Sequence, residues 1–168
     1  GTVLIMGAGH VGQALMRQLK FIPLNVSIFD SRSSETIEFE LPPNCKITAF
    51  PEAEIRNASP GSAYVILTHD HALDFLLVKE ALARNDASYI GMIGSESKKA
   101  VLKNFLKNEG ASGFCRVSTP LGASIASIKG LDKRPSVIAS LVITEILTSF
   151  HKHNEIHFDQ NKELRFIE

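Results

Sequence analysis

Cysteine, tryptophan and net charge are scarce or missing in this sequence. Its 168 residues include two cysteines, Cys45 and Cys115, and no tryptophan. Two distant cysteines exclude a disulfide framework and a C-x-x-C motif, and we expect a reducing, cytoplasmic setting. The 18 basic residues balance the 18 acidic ones. A chain without excess charge has no general electrostatic attraction to nucleic acid or to acidic membranes, and we expect it to bind neither.

Long apolar runs are missing as well. The longest strongly apolar stretch, residues 137–147, is too short to cross a bilayer and contains Glu145, and the sequence shows no signal-peptide pattern. Hydrophobic residues nevertheless make up 44% of the chain, which is ordinary for a globular domain with a packed core. Because the sequence begins inside a strand pattern at Thr2, we expect it to be a piece of a longer protein.

Short apolar runs alternate with amphipathic segments along the chain, as they do in βαβ units. The predicted strands are Thr2–Met6, Asn25–Asp30, Cys45–Phe50, Tyr64–Thr68 and Tyr89–Ile93. Beyond a helix after the first strand, the predicted helices are Ala72–Arg84, Ser97–Asn108 and Val137–Phe150, and Ala111–Gly130 is predicted to be mostly loop. We therefore predict one Rossmann-like α/β domain over residues 1–152, with three layers and a doubly wound, mostly parallel sheet of about six strands.

The last sixteen or so residues differ in character from the rest, since the apolar helix gives way to a mixed polar segment. Within this tail, residues 153–168, the segments Ile156–Phe158 and Leu164–Ile167 flank a polar turn at Asp159–Lys162. This pattern predicts a small hairpin. We expect the tail to extend a sheet edge or to pack on a second subunit, which would make the protein a homodimer.

A glycine-rich turn follows the first predicted strand. Gly7, Gly9 and Gly12 match G-x-G-x-x-G between a strand and a helix, and Asp30 ends the next strand. In dinucleotide-binding folds these glycines permit a tight turn, close approach of a pyrophosphate and close helix packing. The helix N-terminus offers N–H groups and partial positive charge to phosphates, and we expect Asp30 to accept hydrogen bonds from a ribose. The alternative is a Rossmann-shaped scaffold whose loop binds nothing.

Two further side chains belong to this candidate site. Arg32 lies two residues after Asp30, where it could hold a ribose 2′-phosphate or point into solvent. Because an acidic Asp30 would repel that phosphate, the sequence favours an unphosphorylated ribose. His10, in the first turn of the helix, either faces the phosphates or points into solvent.

Thr68, His69, Asp70, His71 and Asp74 cluster at the end of the fourth predicted strand. Ligands of doubly wound sheets bind at this carboxyl edge. Three interpretations stay open: recognition of a ligand or proton transfer to it by the histidines, a metal site, and capping of the next helix by Asp70. The His-x-His pair resembles the start of the metallo-β-lactamase pattern, but the carboxylate is displaced by one position. We therefore expect ligand recognition without a tightly bound metal.

Two other positions carry candidate polar chemistry. Gly94 and Ser95 end the fifth predicted strand before a helix that contains Lys98 and Lys99, which is either a second anion site or an ordinary helix start with surface lysines. Glu145 lies inside the apolar last helix, where an unpaired carboxylate is costly. We expect it to pair with an arginine or to face a cleft.

Several of these segments together resemble the xanthine dehydrogenase accessory factors of the XdhC/CoxI type. The segments are G-A-G-H-V-G-Q-A-L (7–15), F-D-S-R (29–32), T-H-D-H-A-L-D (68–74), Y-I-G-M-I-G-S (89–95), P-L-G (120–122) and I-T-E-I (143–146). The resemblance covers about residues 2–150. Two positions depart from the family pattern: Glu96 replaces an arginine, and Ala123-Ser124 replaces Leu-Asp.

The resemblance implies the C-terminal, Rossmann-like domain of a maturation factor. Such factors bind molybdenum cofactor, as molybdopterin or its dinucleotide form, assist its sulfuration and deliver it to molybdenum hydroxylases, with a cysteine desulfurase as a further partner. An N-terminal domain of the family, with a cysteine motif, lies outside this sequence. Two other classes stay open: an oxidoreductase that uses NAD or a similar dinucleotide, and a regulatory domain that senses a nucleotide. The resemblance assigns no catalytic residue, and we expect an accessory protein rather than an enzyme.

Overall fold

The computed structural model describes residues 1–32, 42, 45–125 and 132–164, with the side chains of the last helix up to His153. Its strands are β1 (Thr2–Met6), β2 (Asn25–Asp30), β3 (Cys45–Ile47), β4 (Ala63–Ile66), β5 (Tyr89–Met92) and β6 (Val117–Ser118). Its α-helices are α1 (His10–Leu19), α2 (Pro51–Arg56), α3 (His71–Ala83), α4 (Glu96–Asn108) and α5 (Pro135–Leu164).

The six strands form one sheet in the order β3-β2-β1-β4-β5-β6, and every neighbouring pair is parallel. The order reverses at β1, which pairs with β2 on one side and with β4 on the other. This confirms the predicted doubly wound, Rossmann-like α/β fold. In such sheets the crevice at the carboxyl ends of the two strands beside the reversal is the usual place for a ligand.

Residues of β1 alternate between the two faces of the sheet, and each face has its own core. Val3 and Ile5 pack in the cluster that includes residues of α1 and α5, and Leu4 and Met6 pack in the cluster that includes residues of α2, α3 and α4. None of these four side chains is more than 4% exposed. Helices on both faces explain why β1 reads as an uninterrupted apolar run.

Several element boundaries differ from the sequence prediction, and two short elements, α2 and β6, were not predicted. β3 ends at Ile47 instead of Phe50, because Pro51 begins the unpredicted helix α2, and proline is favoured in a first helical turn. β4 ends at Ile66, so Thr68 lies in the loop beyond it. The two residues of β6 lie within the segment predicted as loop, where a strand this short leaves no periodic pattern.

The predicted hairpin in the tail is wrong within the described residues. α5 continues to Leu164, so Ile156–Phe158 and the Asp159–Lys162 turn are helical, while residues 165–167 of the second arm lie outside the description. The sequence has no glycine or proline after Pro135, so nothing in it interrupts the helix. Across the ranges described, α5 included, no helix is both long and apolar enough to cross a membrane.

Candidate functional site

The loops after β1, β2 and β4 meet at the point where the strand order reverses. The Gly7 N–H donates to the carbonyl oxygen of Phe29 at 2.7 Å, and the Leu67 N–H donates to that of Met6 at 2.9 Å. A narrow crevice there is lined by Gly7, Ser31 and Thr68 from the three loops and by Asp30 at the end of β2. The structure thus brings the glycine motif, Asp30 and the start of the histidine cluster to one edge of the sheet.

The three glycines of the motif have different surroundings. Gly7 has φ +124, and a β-carbon there would lie 2.3 Å from the carbonyl oxygen of Leu67. A β-carbon on Gly12 would lie 2.2 Å from the carbonyl oxygen of Gly7. Both positions therefore require glycine for the backbone to pack. Gly9, by contrast, has no atom of the described residues, its chain neighbours apart, within 4 Å of the place where a β-carbon would be, so this face is open to an approaching ligand.

Gly9 is also the residue that precedes α1, and this helix end has no acidic side chain in its first turn. The first hydrogen bond of the helix runs from the Gln13 N–H to the Gly9 carbonyl at 2.9 Å. The first turn of an α-helix presents backbone N–H groups and the positive end of the helix dipole, and both favour an anion. His10 lies in the same turn and is exposed.

The Asp30 carboxylate is hydrogen-bonded to groups of the protein itself. The sequence predicts instead that it accepts hydrogen bonds from a ribose. Its Oδ2 accepts from the Ala8 N–H at 2.9 Å and from Arg32 Nη2 at 2.8 Å. Its Oδ1 accepts from the backbone N–H of Arg32 at 2.9 Å and from Arg32 Nε at 3.0 Å. Burial favours the neutral carboxyl, but the hydrogen bonds from Arg32 and Ala8 outweigh it and lower the pKa of Asp30.

The histidine cluster divides into a buried and an exposed part. Asp70 caps α3, since its Oδ1 accepts from the N–H groups of Ala72 at 2.8 Å and Leu73 at 3.4 Å. The capping interpretation is therefore confirmed for Asp70. His69 follows Thr68 in the loop after β4, His71 is the first residue of α3, and both side chains are exposed.

Asp74, the last member of the cluster, is completely buried beneath the loop. Its Oδ1 accepts from the Thr68 N–H at 2.9 Å and from the Thr68 hydroxyl at 2.8 Å, and its Oδ2 accepts from Lys98 Nζ at 2.5 Å. Asp74 thus fixes the loop after β4 and joins α3 to α4. The sequence predicts Lys98 as a possible ligand of a second anion site. In the structure its side chain is only 9% exposed, and its charge is paired with Asp74 inside the protein.

The second candidate anion site is a capped helix start. The Ser95 hydroxyl accepts from the Lys98 N–H at 3.3 Å and lies 2.9 Å from the Ser97 hydroxyl. Gly94 gives room to the stem of Lys98, whose Cδ would lie 3.0 Å from a β-carbon at that position. Gly94 and Ser95 therefore hold the Lys98 side chain above Asp74, and Ser95 is itself exposed at the same sheet edge.

Glu145 forms a polar centre that the sequence did not predict. Its Oε2 accepts from the Tyr89 hydroxyl at 2.5 Å, the Ser118 hydroxyl at 3.0 Å and the Gly122 N–H at 3.2 Å. Its Oε1 accepts from the Ser124 N–H at 3.0 Å and from the Ser124 hydroxyl. No arginine of the described residues is among these partners, so hydroxyl and N–H donors take the place of the salt bridge that was one of the two expectations for Glu145. Burial and the neighbouring Glu145 charge raise the pKa of Tyr89.

These bonds tie the loop of the P-L-G motif to α5. Because Glu145 is 3% exposed, the carboxylate has little access to water and depends on its protein donors. Its partners come from β5, β6 and the loop after β6, so no short spacing in the sequence marks them. The one signal was the isolated carboxylate in an apolar helix. Among the residues that the structure describes, no three histidine, cysteine or acidic side chains come together as a metal site.

This chain is similar to known proteins in sequence and in fold. The sequence profile of the XdhC Rossmann domain matches residues 3–146. No curated protein matches the chain. A crystal structure described as a xanthine dehydrogenase from Bacillus halodurans is similar, with a TM-score of 0.68 and 19% sequence identity, and the match covers 90% of this chain and 43% of that one.

At that identity the structural likeness shows a shared fold, and this chain spans less than half of the other protein's length. The profile match is more informative, because it extends over nearly all of the range in which the motifs resemble the accessory factors. It confirms that resemblance, and this chain belongs to the XdhC Rossmann-domain family.

Proposed function

We propose that this domain binds a phosphorylated cofactor for an accessory factor that serves a molybdenum hydroxylase of the xanthine dehydrogenase type. The observation that carries the proposal is the open face of Gly9 at the start of α1, in a chain of the XdhC Rossmann-domain family. The ligand we favour is the molybdenum cofactor, as molybdopterin or its dinucleotide form. A dinucleotide such as NAD is the second candidate, since the same loop suits any pyrophosphate.

The residues present fit the phosphate end of either ligand. Gly7 and Gly12 keep the turn tight, Gly9 leaves space for the phosphates, and the first N–H groups of α1 supply donors. The exposed His69 and His71 follow β4 at the same edge of the sheet, where they would contact the polar part of the ligand. The molybdenum cofactor, when bound, supplies the metal that the client hydroxylase uses.

The proposed partners follow from the same assignment. A molybdenum hydroxylase would receive the cofactor, and a cysteine desulfurase would supply sulfur for its sulfuration. We propose no catalytic residue in this domain, whose described groups bind and orient a ligand. Association into a homodimer through the tail stays a prediction.

Replacing Gly9 with valine is expected to abolish ligand binding and to leave the fold nearly intact. The backbone at Gly9 has φ −67, which valine adopts without strain, and the new side chain enters open space. Native mass spectrometry of protein from a molybdenum-replete host should show a pterin or nucleotide on the parent and none on Gly9→Val.

Two further variants make this experiment decisive. Ala83→Val adds a similar volume at an exposed position at the end of α3, on the opposite edge of the sheet, and should keep the ligand. Gly12→Val should unfold, because its β-carbon meets the backbone of Gly7. A folded Gly9→Val protein that carries the same ligand at the same occupancy as the parent would contradict the proposal.

A further inference from the structure

The Asp30 carboxylate has no acceptor capacity left for a ligand. A carboxylate offers about four lone-pair positions. In this protein four N–H groups occupy them: that of Ala8, and the backbone N–H, Nε and Nη2 of Arg32. A ribose hydroxyl can therefore bind Asp30 only by displacing one of these donors. Three of the four belong to Arg32, and two of those come from its guanidinium, so the displaced bond is one to a charged group.

The guanidinium also covers the carboxylate. The Asp30 side chain is 2% exposed and that of Arg32 is 22% exposed, with 2.8 Å between Nη2 and Oδ2. A ligand that reaches the end of β2 meets the cation before the anion. The pair is neutral as a whole, so the repulsion that an unpaired Asp30 would exert on a phosphate is cancelled.

The pair lies beside the glycine loop. Ala8, whose N–H binds Asp30, is the residue between Gly7 and Gly9, and Gly7 itself donates to the last-but-one residue of β2. In dinucleotide-binding folds the residue at the end of β2 meets the ribose next to the pyrophosphate, and an arginine there accommodates a 2′-phosphate. The preference for an unphosphorylated ribose rested on a free Asp30 charge, and the structure shows that charge paired.

We propose that the Asp30–Arg32 pair makes this site selective for ligands that carry a second anionic group beside the pyrophosphate, so that a 2′-phosphorylated dinucleotide binds in preference to its unphosphorylated counterpart. This inference rests on the proposed function, because it presumes that the glycine loop holds the pyrophosphate. It adds a selectivity among dinucleotides, the second class of candidate ligand: the pyrophosphate lies at the start of α1 and a further phosphate lies at Arg32.

NAD⁺ and NADP⁺ are a matched pair of probes, since they differ only in the 2′-phosphate. Calorimetric titration of the parent protein should give a dissociation constant about tenfold lower for NADP⁺, the effect of roughly one charge-assisted contact. In Arg32→Ala the preference should reverse. The carboxylate there keeps two backbone donors, regains two acceptor positions for ribose hydroxyls and repels the 2′-phosphate.

Two control variants separate this effect from general changes in charge. Arg17→Ala removes an exposed arginine from the last turn of α1, at the far edge of the sheet, and should leave the ratio of the two dissociation constants unchanged. Asp30→Asn keeps Arg32 and removes the negative charge, so the preference for NADP⁺ should persist. If circular dichroism shows that Arg32→Ala does not fold, the inference is tested by the ratio of the NAD⁺ and NADP⁺ dissociation constants of the parent and of Asp30→Asn. Both proteins should prefer NADP⁺.

Equal or tighter binding of NAD⁺ by the parent would overturn the inference, as would an unchanged ratio in folded Arg32→Ala. Binding of neither dinucleotide would overturn it too. The native mass spectrometry of the Gly9→Val comparison then reports independently on the proposed function, because it detects any phosphorylated ligand that the glycine loop holds.

Discussion

Glu145→Ala is expected to lower the free energy of unfolding by about 3 kcal/mol, since buried donors left without an acceptor cost roughly 1–3 kcal/mol each and some regain water. The substitution deprives Tyr89, Ser118, Gly122 and Ser124 of their shared acceptor. It also releases the loop after β6 from α5. Urea unfolding followed by circular dichroism measures the change.

Thr144→Ala is the matched control for this prediction. Thr144 precedes Glu145 in the same helix and is exposed, and its hydroxyl donates to the Ser140 carbonyl at 3.0 Å. Loss of that hydroxyl should cost no more than ~0.5 kcal/mol. If Glu145→Ala cost as little as the control, the polar centre would not hold the P-L-G loop in place.

The second large effect is expected for the buried ion pair beneath the histidine loop. Lys98→Met removes the cation that faces a completely buried Asp74, and breaking a buried pair in this way costs roughly 3–5 kcal/mol. The double variant Asp74→Asn/Lys98→Met should recover much of that loss, because the asparagine side chain is neutral and keeps an oxygen for the two Thr68 donors. Urea unfolding of the four proteins in this cycle gives the coupling energy.

An exposed ion pair in the same chain provides the comparison. Lys79 Nζ lies 2.7 Å from Glu109 Oε2, but the two side chains are 36% and 43% exposed. Lys79→Met should therefore cost less than about 1 kcal/mol. A similar cost for Lys98→Met and Lys79→Met, or a double variant no more stable than Lys98→Met, would show that burial does not set the strength of the Asp74–Lys98 pair.

The sequence predicts the central part of the fold well because that part depends on local patterns. β1 and β2 have the predicted bounds, since β1 is an apolar run ended by a glycine turn and β2 carries Val26, Ile28 and Phe29 before it ends at Asp30. The tail was predicted as a hairpin because its apolar residues cluster in two groups. That pattern does not distinguish a hairpin from a long helix without glycine or proline.

The candidate site was predicted in position and only partly in detail. The carboxyl ends of parallel strands share one edge, so the glycine loop, Asp30 and the residues after β4 could be placed together from their order alone. Their hydrogen-bond partners could not be predicted in this way. Asp74 and Lys98 are 24 residues apart, and the most distant partner of Glu145 is 56 residues away, so only the folded chain shows which charges are already used.

The proposed phosphate site is the open face of Gly9 at the N-terminus of α1, and an NMR titration tests this site most directly. Amide chemical shifts of ¹⁵N-labelled protein would be followed while inorganic pyrophosphate is added. If pyrophosphate binds at this site, the largest shifts are expected at the amides of Gly9, His10 and Val11. A second groove, of about 690 Å³, lies at the opposite edge of the sheet and has Gly1 and Phe150 in its lining. Chemical-shift changes confined to residues of that groove, with unchanged shifts at the α1 amides, would contradict phosphate binding at Gly9.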